Sequence, residues 1–142
     1  MEFKWMQKPQ DDLREPFAVR TEVFVQEQGY AQELELDALD DRALHIIAYL
    51  DGEAVATARL FKEEGDIWHL GRVAVRKPWR GRGIGAALVA QAEKKAREQG
   101  AEKIVLGAQV SKRIFYEKQG YLICGQGYLD EGVPHIEMEK KL

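Results

Sequence analysis

The residues best suited to bind a ligand form the hexapeptide Arg80-Gly81-Arg82-Gly83-Ile84-Gly85. Its glycines have no Cβ atom that would keep a ligand away from the backbone, so several backbone N–H groups can point at one anion. An apolar segment precedes the hexapeptide and a helical pattern follows it, and the positive end of that helix would add to the attraction. The pattern therefore predicts a phosphate site, although an ordinary turn between a strand and a helix would have the same spacing.

The charge of the chain narrows the class of ligand. The net charge is −3 and the pI is about 5.7. Proteins that bind nucleic acid normally present a basic face to the phosphate backbone, so an acidic chain argues against nucleic acid as the main partner. Basic residues nevertheless crowd around the hexapeptide: Arg72, Arg76, Lys77, Arg80 and Arg82. A local basic cluster in an acidic protein indicates a small phosphorylated ligand.

Length and composition predict one domain that spans residues 1–142, with 45% hydrophobic residues to form its core. No apolar run approaches the length needed to cross a bilayer, and the N-terminus lacks a signal pattern. We therefore expect a cytoplasmic protein without a membrane partner. The single cysteine, Cys124, rules out an internal disulfide and a cysteine-based zinc site, and we expect no metal. Cys124 lies in a late strand pattern, where we expect it to be buried.

The N-terminal third predicts a short strand over Phe3–Gln7 and then a helix. Asp11 and Asp12 are suitable N-caps for this helix, which should run to about Gln28 before Gly29 ends it. The acidic segment Tyr30–Arg42 follows, as a loop or a short helix. Its carboxylates either lie in solvent or form a wall that attracts a cationic amine.

The middle of the chain predicts an antiparallel meander, in which the hairpin turn Asp51-Gly52 joins the first two strands. Beyond the hexapeptide we expect a helix, a strand parallel to the last meander strand, a short helix capped by Ser111, and a final hairpin. The predicted bounds are strands 44–50, 53–61 and 67–76, helix 83–99, strand 103–107 and hairpin strands 121–128 and 133–140.

A second motif, Phe115-Tyr116-Glu117-Lys118-Gln119-Gly120-Tyr121, follows the hexapeptide at a suitable distance. With Val73-Ala74-Val75 before the hexapeptide and the elements in this order, the chain resembles the GNAT superfamily of acyl-CoA-dependent N-acetyltransferases over essentially its whole length. The segments Arg20–Gln28 and Gly132–Met138, together with the acidic segment and His45, resemble small bacterial single-domain members. The resemblance implies an α/β fold with a mixed, mostly antiparallel sheet of about six or seven strands and about four flanking helices. It also implies a splay between the strand ending at Arg76 and the strand ending at Gly107.

The cofactor that the resemblance implies is acetyl-CoA or another acyl-CoA. Its pyrophosphate would bind the backbone N–H groups of Arg80, Gly81, Arg82, Gly83, Ile84 and Gly85. The side chains of Arg80 and Arg82 either add charge-assisted bonds or lie in solvent. The pantetheine arm would pair with the backbone of Val73, Ala74 and Val75, like an added strand. Gln109 stands where the family often has Asn, whose amide contacts pantetheine.

The resemblance also implies catalytic residues. Tyr116 matches the tyrosine that protonates the departing thiolate of coenzyme A. His69 lies four residues before Val73, and the period of a strand predicts the same face for both, so His69 is the candidate general base. Glu27, His45 and His135 are the other candidates, and Glu27 and His135 are also candidates for binding the acceptor. A water chain without a single base is compatible with the same motif.

The function that the resemblance implies is transfer of an acetyl or other short acyl group from acyl-CoA to a primary amine, which attacks the thioester directly. The alternative is a catalytically silent sensor that binds acyl-CoA. A P-loop or dinucleotide-binding protein fits poorly, because no Gly-Lys-Ser/Thr follows the glycines and a meander precedes them. The partners are then an acyl-CoA and a small or peptide amine, and the sequence leaves a homodimer open.

Overall fold

A seven-stranded mixed sheet in the order β1-β2-β3-β4-β5-β7-β6 is the frame of the molecule. The computed structural model describes residues 1–142, except for the side chain of Leu34. No helix of the described chain is both long enough and apolar enough to cross a membrane. The strands are Glu2–Met6 (β1), Leu44–Leu50 (β2), Glu53–Glu64 (β3), Ile67–Val75 (β4), Lys103–Gln109 (β5), Leu122–Asp130 (β6) and Val133–Lys141 (β7).

Strands β1 to β4 are antiparallel neighbours, which confirms the predicted meander. The turn between β2 and β3 is tight because Asp51 and Gly52 both have positive φ, 52° and 79°. Strand β3 is longer than predicted and continues past Phe61 to Glu64. This extension matters for the site described below, because it carries Glu63 alongside β4.

Four α-helical segments flank the sheet: Arg14–Arg20 (α1), Gln32–Glu35 (α2), Ile84–Glu98 (α3) and Arg113–Lys118 (α4). The predicted first helix exists, but its second half, Thr21–Glu27, is a π-helix that continues α1. The prediction that Asp11 or Asp12 is the N-cap was wrong, because Leu13 is the N-cap of α1; Asp12, one residue earlier, accepts a hydrogen bond from the N–H group of Arg14 at 3.0 Å. Ser111 does not cap α4, because it lies inside a 3₁₀ turn over Val110–Lys112 that precedes the helix.

The two sides of the sheet are packed by different helices. On one face, α3 buries Ile84, Leu88 and Ala92 against the small side chains of β3, as the helical periodicity predicted. Burial of a side chain such as Leu88 contributes about 2 kcal/mol. On the other face, Val19 and Val23 of the first helical segment pack on Ala74. The sheet therefore has an α3 face and an α1 face.

Strands β4 and β5 are parallel and paired at only three positions, the last of which is His69 with Val105. Beyond this pair the strands separate, and residues 70–75 no longer pair with residues 106–109. The predicted splay is confirmed, although β5 continues to Gln109 rather than ending at Gly107. The opening between the two strands exposes the edge of β4.

A bulge in β4 changes which side chains share a face. Gly71 pairs with Arg59 and Ala74 with Thr57, so Arg72 and Val73 together lie opposite Ala58 alone. Arg72 has the left-handed φ of 48°. His69 and Gly71 consequently lie on the α1 face, whereas Val73 packs with the core on the α3 face. The prediction that His69 and Val73 share a strand face was wrong because it assumed unbroken alternation.

The prediction that Cys124 is buried was also wrong, since its side chain is exposed. Strand β6 is the last strand of the sheet and pairs only with β7, so it is covered less than an interior strand. Its pairing with β7 also shifts register between Ile123 and Gly127, the segment that contains Cys124. The sequence pattern predicted the hairpin but could not show that β6 lies at the sheet edge.

Candidate active site

The opening between β4 and β5 contains two cavities that meet. One, of about 480 Å³, lies against the hexapeptide and the start of α3, and we call it the glycine-turn cavity. The other, of about 520 Å³, has His69 and His135 in its wall, and we call it the histidine cavity. Both are lined by Gln28, Val73, Lys112 and Tyr116. Ligands held in the two cavities would therefore meet beside Tyr116.

Two glycines of the hexapeptide are needed for their backbone conformation. Gly81 and Gly83 both have a φ of 78°, which is left-handed and favours glycine. Gly83 is the N-cap of α3, and no side chain accepts a hydrogen bond from the first turn of that helix. The first N–H groups of α3 therefore have no acceptor within the helix, and they lie at the glycine-turn cavity. This is the arrangement that binds phosphate at helix N-termini.

Gly85 has a different role, which is packing. A Cβ atom added here would lie 3.3 Å from Cζ of Phe115 and 3.8 Å from a methyl group of Val75. Phe115 precedes Tyr116 in α4, so the absence of a side chain at Gly85 lets α4 approach α3 and β4. The spacing in the sequence did not separate this glycine from the other two.

Arg80 and Glu27 form an ion pair with each other. The guanidinium of Arg80 donates to both carboxylate oxygens of Glu27, at 2.5 and 2.6 Å, and its Nε donates to the backbone oxygen of Val75 at 2.8 Å. Hydrogen bonds from Arg80 lower the pKa of Glu27. Glu27 lines neither cavity, since the π-helix carries it to the glycine turn, and its predicted contact with the acceptor stays a prediction. Arg82 is exposed and also lines neither cavity.

The edge of β4 forms the boundary between the two cavities. Val73, Ala74 and Val75 all line the glycine-turn cavity, and β5 does not pair with this part of β4. The backbone edge at Val73 and Ala74 is therefore open to a ligand that adds itself to the strand, whereas the backbone oxygen of Val75 already accepts from Arg80. The side chain of Val75 packs with the core, as expected for either a structural or a binding strand.

Tyr116 lies at the junction of the cavities. Its ring makes edge contacts with Phe115 and Tyr121, at centroid distances of 5.0 and 6.0 Å, which hold α4 against the core. Burial raises the pKa of the Tyr116 hydroxyl far above its usual value. The hydroxyl is therefore protonated at neutral pH and can donate a proton or a hydrogen bond.

His69 has a partner that the sequence analysis missed. Its Nδ1 lies 2.8 Å from a carboxylate oxygen of Glu63, and its ring stacks on Phe61 at 4.9 Å. An Nδ1–H that donates to Glu63 leaves Nε2 as a hydrogen-bond acceptor. Burial lowers the pKa of His69 while Glu63 opposes that shift, so the imidazole is neutral at pH 7. The predicted strands, 53–61 and 67–76, left Glu63 outside β3, and its position beside His69 depends on the register between β3 and β4, which neither strand shows alone.

The other two histidines have different positions. His45 is fully buried, lines neither cavity and has its Nε2 3.0 Å from the backbone oxygen of Asp40. His135 lines the histidine cavity, with Nδ1 2.8 Å from the backbone oxygen of Val133. Its ring stacks on Tyr128 at 5.6 Å. Tyr128 was not predicted, and it reaches the cavity only because Gly107 has no Cβ, which would overlap the Tyr128 hydroxyl.

Gln109 faces the histidine cavity and not the glycine-turn cavity. Its Nε2 donates to the side-chain oxygen of Gln28 at 2.8 Å and lies 3.4 Å from the hydroxyl of Tyr30. The side chain thus links the end of β5 to the segment after the π-helix. Its predicted contact with pantetheine stays a prediction.

Three carboxylates of the acidic segment are bound by arginines, which neither interpretation of that segment predicted. Arg20 donates to Glu35 at 2.6 Å and to Asp40 at 2.7 Å, and both carboxylates are buried. Arg59 donates to Asp37 at 2.7 Å and to Asp40 at 3.0 Å. Burial raises the pKa of Asp40, but hydrogen bonds and charge from Arg20 outweigh it and lower the pKa to about 2. These groups hold the acidic segment on the sheet.

The splayed sheet, the glycine turn and the two cavities are those of an acyltransferase fold. The family model described as "Acetyltransferase (GNAT) domain" matches residues 9–142, and the chain belongs to this family. YjcF of Bacillus subtilis, described as an uncharacterized N-acetyltransferase, is 37% identical over 134 residues, which cover 94% of this chain and 95% of YjcF.

Solved structures show the same fold. A crystal structure from Lactobacillus plantarum has a TM-score of 0.92 and 29% identity, with 99% of this chain and 97% of that chain covered. An acyl-CoA N-acyltransferase from Pseudomonas aeruginosa has a TM-score of 0.86 and 28% identity, with 98% of each chain covered. Among the side chains that the structure describes, no group of three His, Cys, Asp or Glu could hold a metal ion.

Proposed function

We propose that this protein transfers an acetyl or other short acyl group from acyl-CoA to a primary amine. The observation that carries the proposal is the meeting of two cavities at Tyr116, beside the unpaired edge of β4. One cavity offers main-chain donors for a phosphorylated ligand, and the other offers a neutral histidine and room for a second substrate. The relation to an acyl-CoA N-acyltransferase supports this assignment.

The residues around the glycine-turn cavity fit an acyl-CoA. The N–H groups at Gly81, Gly83 and the start of α3 suit a pyrophosphate, and the open edge at Val73 and Ala74 suits the amides of pantetheine. When bound, acyl-CoA supplies an acyl group that its thioester activates for transfer. The side chain of Arg80 already donates hydrogen bonds to Glu27 and to the backbone oxygen of Val75. We therefore propose that the pyrophosphate binds backbone N–H groups rather than this side chain.

Two side chains are placed to accept the proton of the amine and to donate a proton to the departing sulfur. The attacking amine must be neutral, and His69 can accept its proton on Nε2, because Glu63 occupies Nδ1. Tyr116 stays protonated and can donate its hydroxyl proton to the departing sulfur. Direct attack needs no covalent bond to the protein, and Cys124, which lies at the exposed sheet edge, has no part in it.

The test is release of free coenzyme A from acetyl-CoA in the presence of a panel of amines. We expect Tyr116→Phe to lower the rate by about 10²- to 10⁴-fold, the usual contribution of a general acid. Tyr49→Phe is the matched control, because the Tyr49 hydroxyl binds Glu15 and lines neither cavity. If coenzyme A binds but Tyr116→Phe changes the rate with no amine, the catalytic role fails and a silent acyl-CoA sensor is the better interpretation.

A further inference from the structure

Arg72 is a charged side chain of the histidine cavity to which the proposed mechanism gives no role. It lines that cavity next to Gly71 and Val73. Its φ of 48° is left-handed, which is unusual for a residue with a side chain and strains the backbone. The bulge that imposes this conformation also turns Arg72 out of the alternation of β4 and onto the α1 face, towards Glu35 and Asp37. The bulge therefore places Arg72 in the wall of the cavity, with its guanidinium next to Glu35 and Asp37.

The hydrogen bonds of Arg72 are long compared with those of its neighbours. Its Nε donates to the backbone oxygen of Glu35 at 3.2 Å, and its Nη2 lies 3.4 Å from Asp37. Arg20 and Arg59 make contacts of 2.6 and 2.7 Å to the same group of acidic residues. Among the side chains and backbone groups that the structure describes, none accepts a hydrogen bond from Nη1 of Arg72. The Nη1 group of the Arg72 guanidinium is thus available to donate hydrogen bonds to a ligand.

Arg72 is held only loosely by the carboxylates around it, because its Nε lies 3.5 Å from Oε1 of Glu35 and its Nη2 lies 3.4 Å from Asp37. Burial together with the positive charges of Arg59 and Arg20 lowers the pKa of Arg72, and the charges of Asp37 and Glu35 offset this only in part. Asp37 and Glu35 already bind Arg59 and Arg20 at short distance. A carboxylate from a ligand would complete the coordination of the guanidinium, because the two planar groups match in geometry.

The cavity also carries unpaired negative charge away from Arg72. Asp130 and Glu131, at the turn between β6 and β7, line the same cavity and are exposed. Neither makes an ion pair with the described side chains. Burial, helped by the charge of Asp130, raises the pKa of Tyr30, which lines the same cavity. A cavity with opposite charges at different points suits an acceptor that is itself zwitterionic.

We propose, building on the acyltransferase function above, that Arg72 binds a carboxylate of the acceptor, so that the acceptor class is amino acids rather than simple amines or diamines. Arg72 is the chain neighbour of Val73, which lies at the junction with the glycine-turn cavity. Arg72 and Tyr116 line the same cavity, so a carboxylate bound to Arg72 would hold the acceptor in the cavity that Tyr116 also lines. Asp130 and Glu131 then attract the protonated amine as it enters.

The experiment compares acceptors that share a carbon chain and differ only in the distal group. Glycine, β-alanine and 4-aminobutyrate are each measured beside their amide and beside the corresponding diamine. Initial rates of coenzyme A release are recorded for the wild type, Arg72→Met and Arg72→Lys. Arg97→Met is the matched control, because it removes the same charge from an exposed position on α3 that lines neither cavity.

We expect the wild type to prefer the acceptor with a carboxylate. Arg72→Met should raise KM for that acceptor by about 10- to 100-fold, the usual worth of a charge-assisted pair, with a much smaller effect on kcat. KM for the amide should hardly change, and Arg72→Lys should be intermediate because it keeps the charge but loses the fork. A wild-type preference for diamines, or an equal loss with all three acceptor types in Arg72→Met, would overturn the proposal.

A binding measurement separates this proposal from the acyltransferase function. Calorimetric titration of the same compounds is carried out in the presence of coenzyme A. Selective binding of the amino acids that Arg72→Met abolishes would support the role of Arg72 even if no acyl transfer occurred. Acyl transfer without selectivity for a carboxylate would support the acyltransferase and reject the role of Arg72.

Discussion

The chemistry of the site depends on how single residues hold their protons. The burial that lowers the pKa of His69 makes it neutral at pH 7 but also a weaker base, and Glu63 restores part of its basicity. The same burial raises the pKa of Tyr116 and keeps its proton in place. The two environments therefore shift the two pKa values in opposite directions. His69 is neutral and can accept a proton, and Tyr116 is protonated and can donate one.

This arrangement predicts a pH effect for Glu63→Gln. Because Glu63 raises the pKa of His69, its removal should lower that pKa and move the acidic limb of kcat/KM to lower pH. The rate on the plateau should fall, since a less basic imidazole is a poorer proton acceptor. The ratio of variant to wild-type kcat/KM, measured with one amine across pH, cancels the ionisation of the amine itself.

Glu64→Gln is the control for this measurement, because it removes the next carboxylate on the same exposed strand end. A Glu63→Gln profile that superimposes on that of Glu64→Gln would show that His69 is not the group that limits the rate at low pH. A shift of the acidic limb to higher pH would contradict the geometry directly.

At the scale of elements, the contact between α3 and α4 sets the position of Tyr116. Gly85 admits the ring of Phe115, with only 3.3 Å between that ring and the place of a Cβ atom. Gly85→Val should therefore push α4 away, lower the free energy of unfolding by about 1–3 kcal/mol, as overpacking does, and reduce kcat. Urea unfolding and steady-state rates measure the two effects.

A compensating change tests whether this contact is the cause. Phe115→Leu in the Gly85→Val background should recover part of the lost stability, because the smaller side chain makes room for the new methyl groups. Gly83→Val should gain nothing from Phe115→Leu, since an added Cβ at Gly83 meets no atom within 4 Å and its cost is backbone strain at a φ of 78°. Equal recovery in both backgrounds would disprove the packing role of Gly85.

The elements themselves could be predicted from the sequence because their signals are local. The pattern of apolar residues predicted β2, β3 and α3, and the glycine-rich hexapeptide predicted the turn before α3. The π-helix, the bulge at Arg72 and the edge position of β6 could not be predicted, because each depends on packing or register between distant segments. The same holds for Glu63, which reaches His69 only through the register of β3 with β4.

The whole molecule is held together across the sheet by ion pairs that its net charge of −3 does not reveal. Arg20 lies on α1, Arg59 on β3 and Arg72 on β4, and all three contact the segment that contains Glu35, Asp37 and Asp40. This segment follows the π-helix and forms part of the histidine cavity through Glu35. Stability and the shape of the cavity therefore depend on the same buried charges.

Asp40 makes this dependence measurable through acid unfolding. Its pKa is lowered from 3.8 to about 2 in the folded protein, so its contribution is fully present above pH 3.8 and is lost as the pH falls through about 2. Asp40→Asn should be less stable than the wild type near neutral pH, and the difference in free energy of unfolding should shrink by about 2 kcal/mol towards pH 2. Glu98→Gln, at an exposed position outside these ion pairs, is the control. A difference between Asp40→Asn and the wild type that stays constant with pH would mean that Asp40 contributes through its shape and hydrogen bonds, and not through its charge.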